Sequence, residues 1–192
     1  MADSETAEET ETETETETET EVETIEEVET DDEVVAGEEQ MYGVPVSSAF
    51  GQTVLFPDAD SYLDLFSELQ SDGFRQVIDL FGVDYLHHER SDLPASVIPE
   101  RFEVVVSMIS HARRERIRVR VQVADGGSIP TLFDMFPGTE ALEREAFDMF
   151  GVSFDDHPDH SRILMPETWE GYPLRKDFDI GRIPVQFKDA PG

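Results

Sequence analysis

The sequence predicts an α+β domain followed by an extended C-terminal arm, and three observations carry that expectation. Residues 58–71 and 139–150 space their apolar side chains at helical intervals. Residues 116–123 alternate apolar and polar side chains with the period of a strand. After residue 150, five prolines fall in the last 42 residues with little helical period, a length of irregular chain that is unusual inside a compact domain. Residues 41–150 are therefore read as the core domain, and residues 151–192 as an arm that needs another surface to lie on.

In chain order, residues 1–40 come first as an acidic Glu/Thr-rich tail holding 19 Asp or Glu and no Lys or Arg. Its Glu-Thr alternation from Glu11 to Thr20 gives neither face of a strand anything apolar to bury, and like charges repel, so disorder is expected. A solvating tail, an acidic partner-binding segment and a phosphorylated one all fit that composition. Thr53 to Phe56 is expected to form a short strand ended by Pro57. Tyr62, Leu65, Phe66 and Leu69 then fall at i, i+3, i+4 and i+7 of a helix, with Asp58 or Asp60 as cap and Gly73 as stop.

Phe74 to Leu86 reads as a strand, with Val77, Asp79 and Phe81 on one side and Ile78 and Leu80 on the other. Residues 87–100, polar and interrupted by two prolines, read as a loop. Residues 101–110 have a continuous apolar centre, as in a strand buried on at least one face. With residues 116–123 they make an antiparallel hairpin, Ile117, Val119, Val121 and Val123 facing in and Arg116, Arg118, Arg120 and Gln122 facing out. Asp125-Gly126-Gly127 breaks the sheet. The second helix, residues 139–150, carries Leu142, Ala146, Met149 and Phe150 on one stripe between Pro137-Gly138 and Gly151.

Composition narrows the function classes. The 192 residues carry 45 acidic against 14 basic side chains, a formal net charge of -31, and the tail supplies most of the imbalance. The bases are 12 Arg and only 2 Lys, a balance that suits a high-salt cytoplasm and that a GC-rich genome also favours. With no cysteine, the chain can hold no disulfide, no thiolate zinc or iron-sulfur site of its own, and no thiol nucleophile. Met1-Ala2-Asp3-Ser4-Glu5 is acidic and no apolar export region follows, so retention in the cytoplasm is expected. Runs such as Val104-Val105-Val106 fall far short of the ~20 apolar residues of a membrane span, so membrane contact is expected only through a partner protein.

The clusters that carry chemistry each have a plainer reading. In DDHPDH, residues 155–160, two imidazoles and three carboxylates are of the types that bind Zn or non-haem Fe, but Pro158 prevents a helical display and no third imidazole stands nearby; a structural turn is the plainer reading. His87-His88 would diverge at a strand end. Five arginines lie between Arg113 and Arg120. An acidic chain without interleaved aromatics argues against nucleic acid, leaving a solvated sheet face or docking onto an acidic partner. Glu143, Glu145 and Asp148 resemble paired carboxylates, yet Glu140 to Arg144 and Arg144 to Asp148 are expected as i, i+4 ion pairs, which suffices to explain them. No phosphate-cradling loop, dinucleotide fingerprint or nucleophile elbow is present, so no catalytic residue is assigned.

The stretch ALEREAFDMFGVSFDDHPDHSRILMPETWEGYPLRKDF, residues 141–178, closely resembles the thirty-kilodalton, C-type subunit family of respiratory complex I, the proton-pumping NADH-quinone oxidoreductases. The resemblance runs through Glu143-Arg144-Glu145, Asp148-Met149-Phe150-Gly151, His157-Pro158-Asp159, Arg162-Ile163-Leu164, Pro166, Trp169, Gly171 and Pro173-Leu174-Arg175-Lys176-Asp177. It extends more weakly through RFEVVVSMIS and GFRQVIDLFGVDYL to cover roughly residues 50–180 and leaves the tail outside. Ser161 departs from the basic residue usual in the family, and Tyr172 stands where His is also common.

The resemblance implies a two-layer α/β domain with a mixed sheet, no cofactor in this chain, and FMN and iron-sulfur clusters in partner subunits. It implies an arm lying over the forty-nine-kilodalton, D-type subunit of the quinone site, beside other peripheral-arm subunits on the cytoplasmic side of the inner membrane. The residues expected at subunit interfaces are Glu143, Arg144, Glu145, Asp148, His157, Asp159, Arg162, Trp169, Arg175, Lys176 and Asp177. Trp169 and Arg175 are of the anchor types favoured in interfaces, and their replacement is expected to weaken assembly while leaving the fold intact. The alternatives are the equivalent subunit of a membrane-bound hydrogenase or other quinone- or coenzyme-linked dehydrogenase, a free-standing acidic binding module, and a metal-dependent hydrolase using His157, His160 and Asp159.

Overall fold

Alternation along two neighbouring strands, β5 (Phe102–Ser110) and β6 (Glu115–Val123), builds the centre of the sheet in the computed structural model, which describes residues 38–179 and Gly181. The expected tail up to residue 37, and Pro184, Lys188 and Pro191 of the expected arm, lie outside the described residues. Val104, Val106 and Met108 of β5 and Ile117, Val119, Val121 and Val123 of β6 all turn to one face and are buried there. The hairpin is antiparallel over its full length, with Val106 opposite Val119.

Three strands precede the first helix: β1 (Gln40–Met41), β2 (Val44–Ala49) and β3 (Gln52–Leu55). Gln40, which the sequence places in the tail, is already paired with Pro45. β3 runs parallel to β6, while β4 (Gln76–Asp84) runs antiparallel to β5. The sheet order is β1-β2-β3-β6-β5-β4, a mixed sheet.

Helix α1 (Tyr62–Ser71) lays Tyr62, Leu65, Phe66 and Leu69 on the sheet. The Asp58 carboxylate accepts the Ser61 amide at 2.7 Å, which fixes the chain entering the helix. Gly73, at φ +96, closes it: its amide donates to the Gln70 carbonyl and that of Phe74 to Leu69, satisfying carbonyls left over by the last turn. Helix α2 (Glu140–Phe150) covers the β4 end of the same face. Both helices thus lie on one side of the sheet, giving the two-layer α+β arrangement.

β4 departs from simple alternation. A bulge between Val77 and Asp79 inserts one residue, so Val77 and Leu80 both pack toward the core while Ile78 is exposed. Gly82 lies where α2 crosses, and a Cβ there would stand 2.7 Å from the Phe150 ring. Gly82→Ala is expected to cost about 1–3 kcal/mol by overpacking, read as a lower urea midpoint at unchanged slope.

After α2, the expected arm begins with a strand of the domain, β8 (Ser153–Asp155), parallel to β7 (Ser128–Pro130). From Asp156 to Asp179 no helix or strand forms. Among the described residues no helix is long and apolar enough to cross a membrane.

Candidate docking site

α2 carries two acids that are not on its surface. Glu143 and Asp148 are both buried, although the apolar stripe of Leu142, Ala146, Met149 and Phe150 does not include them. A carboxylate in the last turn of a helix is disfavoured by the helix dipole. Asp148 is held there because its Oδ2 accepts three successive backbone amides, Ile163 at 3.1 Å, Leu164 at 2.8 Å and Met165 at 2.8 Å. Its Oδ1 takes Arg162 Nη1 at 2.5 Å, and Arg162 Nη2 donates onward to the Gly171 carbonyl at 2.9 Å. Burial works to raise the Asp148 carboxyl, but the Met165 amide, Arg162 and the Leu164 and Ile163 amides outweigh it and hold the group below the usual carboxylate range.

This arrangement corrects an expected pairing. Arg144 does not bridge to Asp148. It reaches Glu140 at 4.0 Å, Asp159 at 3.3 Å, and the Ser161 carbonyl and hydroxyl at 3.1 and 2.7 Å. Ser161, the position that departs from the family pattern, therefore serves as an acceptor for Arg144. Glu145 is exposed.

Glu143 faces inward, where it accepts the Thr131 hydroxyl and the Leu132 amide, the latter at 2.8 Å. Burial raises its carboxyl above the usual range against the opposing pull of these bonds. His157 lies beside it, Nε2 at 3.6 Å from Glu143 and 3.2 Å from the Glu140 carbonyl. Its Nδ1 accepts the Asp159 amide at 3.1 Å, so the hydrogen-bond network places the ring proton on Nε2. Both nitrogens of His157 are thereby occupied by the chain itself, and among the described residues no group of three or more His, Asp or Glu is arranged to hold a metal ion. The DDHPDH segment works as a turn whose imidazole braces the start of the arm.

The far end of the arm closes on the sheet. Arg175 pairs with Asp125 and lies over the Phe102 and Tyr172 rings at 4.9 and 5.6 Å. Asp177 pairs with Arg101 at 2.7 Å, and the Lys176 amide donates to Asp84 at 2.8 Å. Asp84 is buried; Arg101 and the amides of Lys176 and Leu86 together overcome the cost of burial and lower its carboxyl. The Leu174 amide donates to Met149 at the end of α2, and Trp169 stacks on Phe178 with ring centroids 6.2 Å apart. The surface the arm needed is thus supplied by its own domain. Arg175 and Asp177 are bound internally, so Arg175→Ala would disturb the fold as well as any interface.

Among polar neighbours, the arm also turns apolar side chains outward. Ile163, Leu164 and Leu174 are 40%, 58% and 53% exposed. All three sit on backbone tied to the last turn of α2, through Asp148 for the first two and Met149 for the third. Carboxylates engaged by amides and guanidinium groups hold this backbone in place.

Asp84, Arg101, Asp125 and Ser161 were not singled out from sequence as site residues. A signal existed for Asp84: it shares the inward parity of Leu80 and Gly82, and an acid on a core face needs partners.

The family described as respiratory-chain NADH dehydrogenase, 30 Kd subunit, matches residues 56–183. The NADH-quinone oxidoreductase C subunit of Phenylobacterium zucineum is 40% identical over 143 residues, which cover 73% of this chain and 64% of that protein. That of Roseiflexus castenholzii is 47% identical over 110 residues, 57% of this chain and 58% of its own length. The chain therefore spans somewhat under two thirds of the length of these two relatives. The solved trypsin-resistant fragment (1-134) of Nqo5 superposes with TM-score 0.54 at 29% identity, covering 61% of this chain and 89% of the fragment. A chain of the membrane-bound sulfane sulfur reductase, an archaeal respiratory membrane complex, shares the fold at TM-score 0.55 and 21% identity, over 77% of this chain and 88% of its own. With a family match over residues 56–183, most of the folded residues, the chain belongs to the 30 kDa subunit family of the respiratory-chain NADH dehydrogenase.

Proposed function

We propose that this chain is a cofactor-free structural subunit in the peripheral arm of a proton-translocating NADH-quinone oxidoreductase. In this reading the core domain runs from β1 through β8, the chain from Asp156 onward is the partner-binding arm, and the residues before β1 are an acidic tail. The observation that carries it is the outward apolar set Ile163, Leu164 and Leu174 on a loop whose backbone is locked by Asp148. Exposed apolar side chains on a rigid, polar-rimmed support mark an interaction surface. In this reading the partner is a forty-nine-kilodalton-type subunit of the quinone site, with membrane contact through the complex on the cytoplasmic side; membership in the family supports it. The absence of cysteine supports placing the iron-sulfur clusters in other subunits, where this reading also places FMN.

Affinity purification of the tagged full chain from mildly solubilised membranes tests this. The expected result is co-purification of a forty-nine-kilodalton-type subunit together with flavin and NADH-dependent quinone reduction. Recovery of the chain alone, or with hydrogenase subunits and no flavin, would overturn it.

A further inference from the structure

The sheet face turned away from the helices carries a second surface that the arm does not use. Register places Val54, Arg118, Ser107 and Asp79 in one outward row across β3, β6, β5 and β4, with Val105 and Phe81 in the next. Val54 and Val105 floor a shallow trough of about 540 Å3, and Phe81, 40% exposed, forms part of one wall. Phe50, at the tip of the β2–β3 hairpin, forms another part of the lining and is fully exposed, at φ +53 beside Gly51 at φ +73. A turn of this kind is normally made by Gly, Asn or Asp, and here it holds an aromatic ring out in solvent.

The charges in the trough do not cancel. Glu103 and Asp92 are each taken by both Arg90 and Arg120. Arg118 forms no ion pair or hydrogen bond among the described residues, and its Nε is buried without an acceptor. Asp79, exposed in the same row, lies two strands away from Arg118 and forms no ion pair with it. A guanidinium left without an acceptor beside an apolar floor is complementary to a carboxylate carried on an apolar segment.

We infer that this face docks a segment of another subunit in which an apolar side chain seats between Phe50 and Phe81 and a neighbouring Asp or Glu pairs with Arg118. The inference rests on the reading of the chain as part of a multi-subunit complex but uses a surface distinct from the arm. An aromatic ring and an arginine together are the anchor types that dominate interface energetics.

The test places a photoreactive benzoylphenylalanine at position 50 or 81 of the full chain, expressed in its host, and sequences the cross-linked peptide from the purified complex. Both positions are expected to capture the same segment of a different subunit, with an acid close to the captured residue. Arg118→Gln should reduce the yield roughly tenfold, since removing one member of a buried charge pair chiefly speeds dissociation. Arg118→Lys should recover part of the yield. Because Arg118 has no partner among the described residues, Arg118→Gln should leave the urea midpoint of the isolated chain unchanged. Capture of a second copy of this chain, or no capture from a complex that still contains the chain, would overturn the inference alone. A chain that purifies with no other subunit would overturn the proposed function as well.

Discussion

Replacing Asp148 with alanine is expected to destabilise the chain by about 3–5 kcal/mol, the scale of removing one member of a buried, hydrogen-bonded charge pair. The change removes the shared acceptor of the Ile163, Leu164 and Met165 amides and leaves the Arg162 guanidinium with only the Asp148 and Gly171 carbonyls. Alanine is the better helix former, and its introduction relieves the unfavourable charge at the helix C-terminus, so the small local terms run the other way. A net loss therefore reads the nest directly. Urea unfolding gives the magnitude, and limited trypsin digestion should show early cleavage at Arg162 in the variant only. Asp148→Asn, which retains one acceptor oxygen, should fall between the two.

The same carboxylate sets an acid dependence. Asp148 is lowered in the folded chain relative to an unfolded value of about 3.9. Its contribution is therefore fully present above the unfolded value and lost as the pH falls through the folded one. Asp84, which receives the arm at Lys176, is lowered as well. The wild-type chain should lose stability steeply below about pH 4, and Asp148→Asn should flatten that slope.

Glu103→Ala should have a comparable effect, about 3–5 kcal/mol, at the opposite side of the sheet. Glu103 is fully buried, yet it lies on the outward side of β5 and accepts Arg90 at 2.7 Å, Arg120 at 2.8 Å and Gln122 at 2.6 Å. Without it, two half-buried cations share only Asp92, a group these same arginines already hold down to about 2 against the cost of burial. Arg90 also lies 3.6 Å over the Tyr85 ring, so its release frees the loop that follows β4. Replacing Arg90, Glu103 and Arg120 together with leucine or methionine should recover most of the loss, because no charge is then left buried. If the triple variant is as unstable as Glu103→Ala, shape and not charge holds this face.

The elements legible in the sequence were those whose side chains report their own surroundings. The β5–β6 hairpin was read from Ile117, Val119, Val121 and Val123 because period-2 burial needs no knowledge of the partner. Both helices were legible for the same reason, from Tyr62 to Leu69 and from Ala146 to Met149. β2 was not: Ser47 and Ser48 interrupt its apolar run, and its place is fixed by pairing with β3. The bulge at Ile78 was hidden because the same residues satisfy strict alternation equally well. The fold of the arm was not legible at all. Its anchors are backbone amides at 163–165 and 176, which carry no residue-type signal, and their acceptors Asp148 and Asp84 lie 15 to 92 positions away. Of the interface residues expected from the family stretch, Asp148, Glu143 and Arg175 hold the chain to itself, while the outward side chains Ile163, Leu164 and Leu174, which are not in that set, lie between them in the sequence.

The most direct measurement compares the full chain with a variant carrying Ile163→Ser, Leu164→Ser and Leu174→Ser, following both the urea midpoint of the purified chain and its retention in the complex through a salt wash of membranes. These side chains are already exposed, so the midpoint should move by no more than about 0.5 kcal/mol, while the variant should be washed out of a complex that retains the wild type. A variant that unfolds normally and still remains in the complex with wild-type yield would contradict the claim that the arm, seated on its own domain, presents these residues to another subunit.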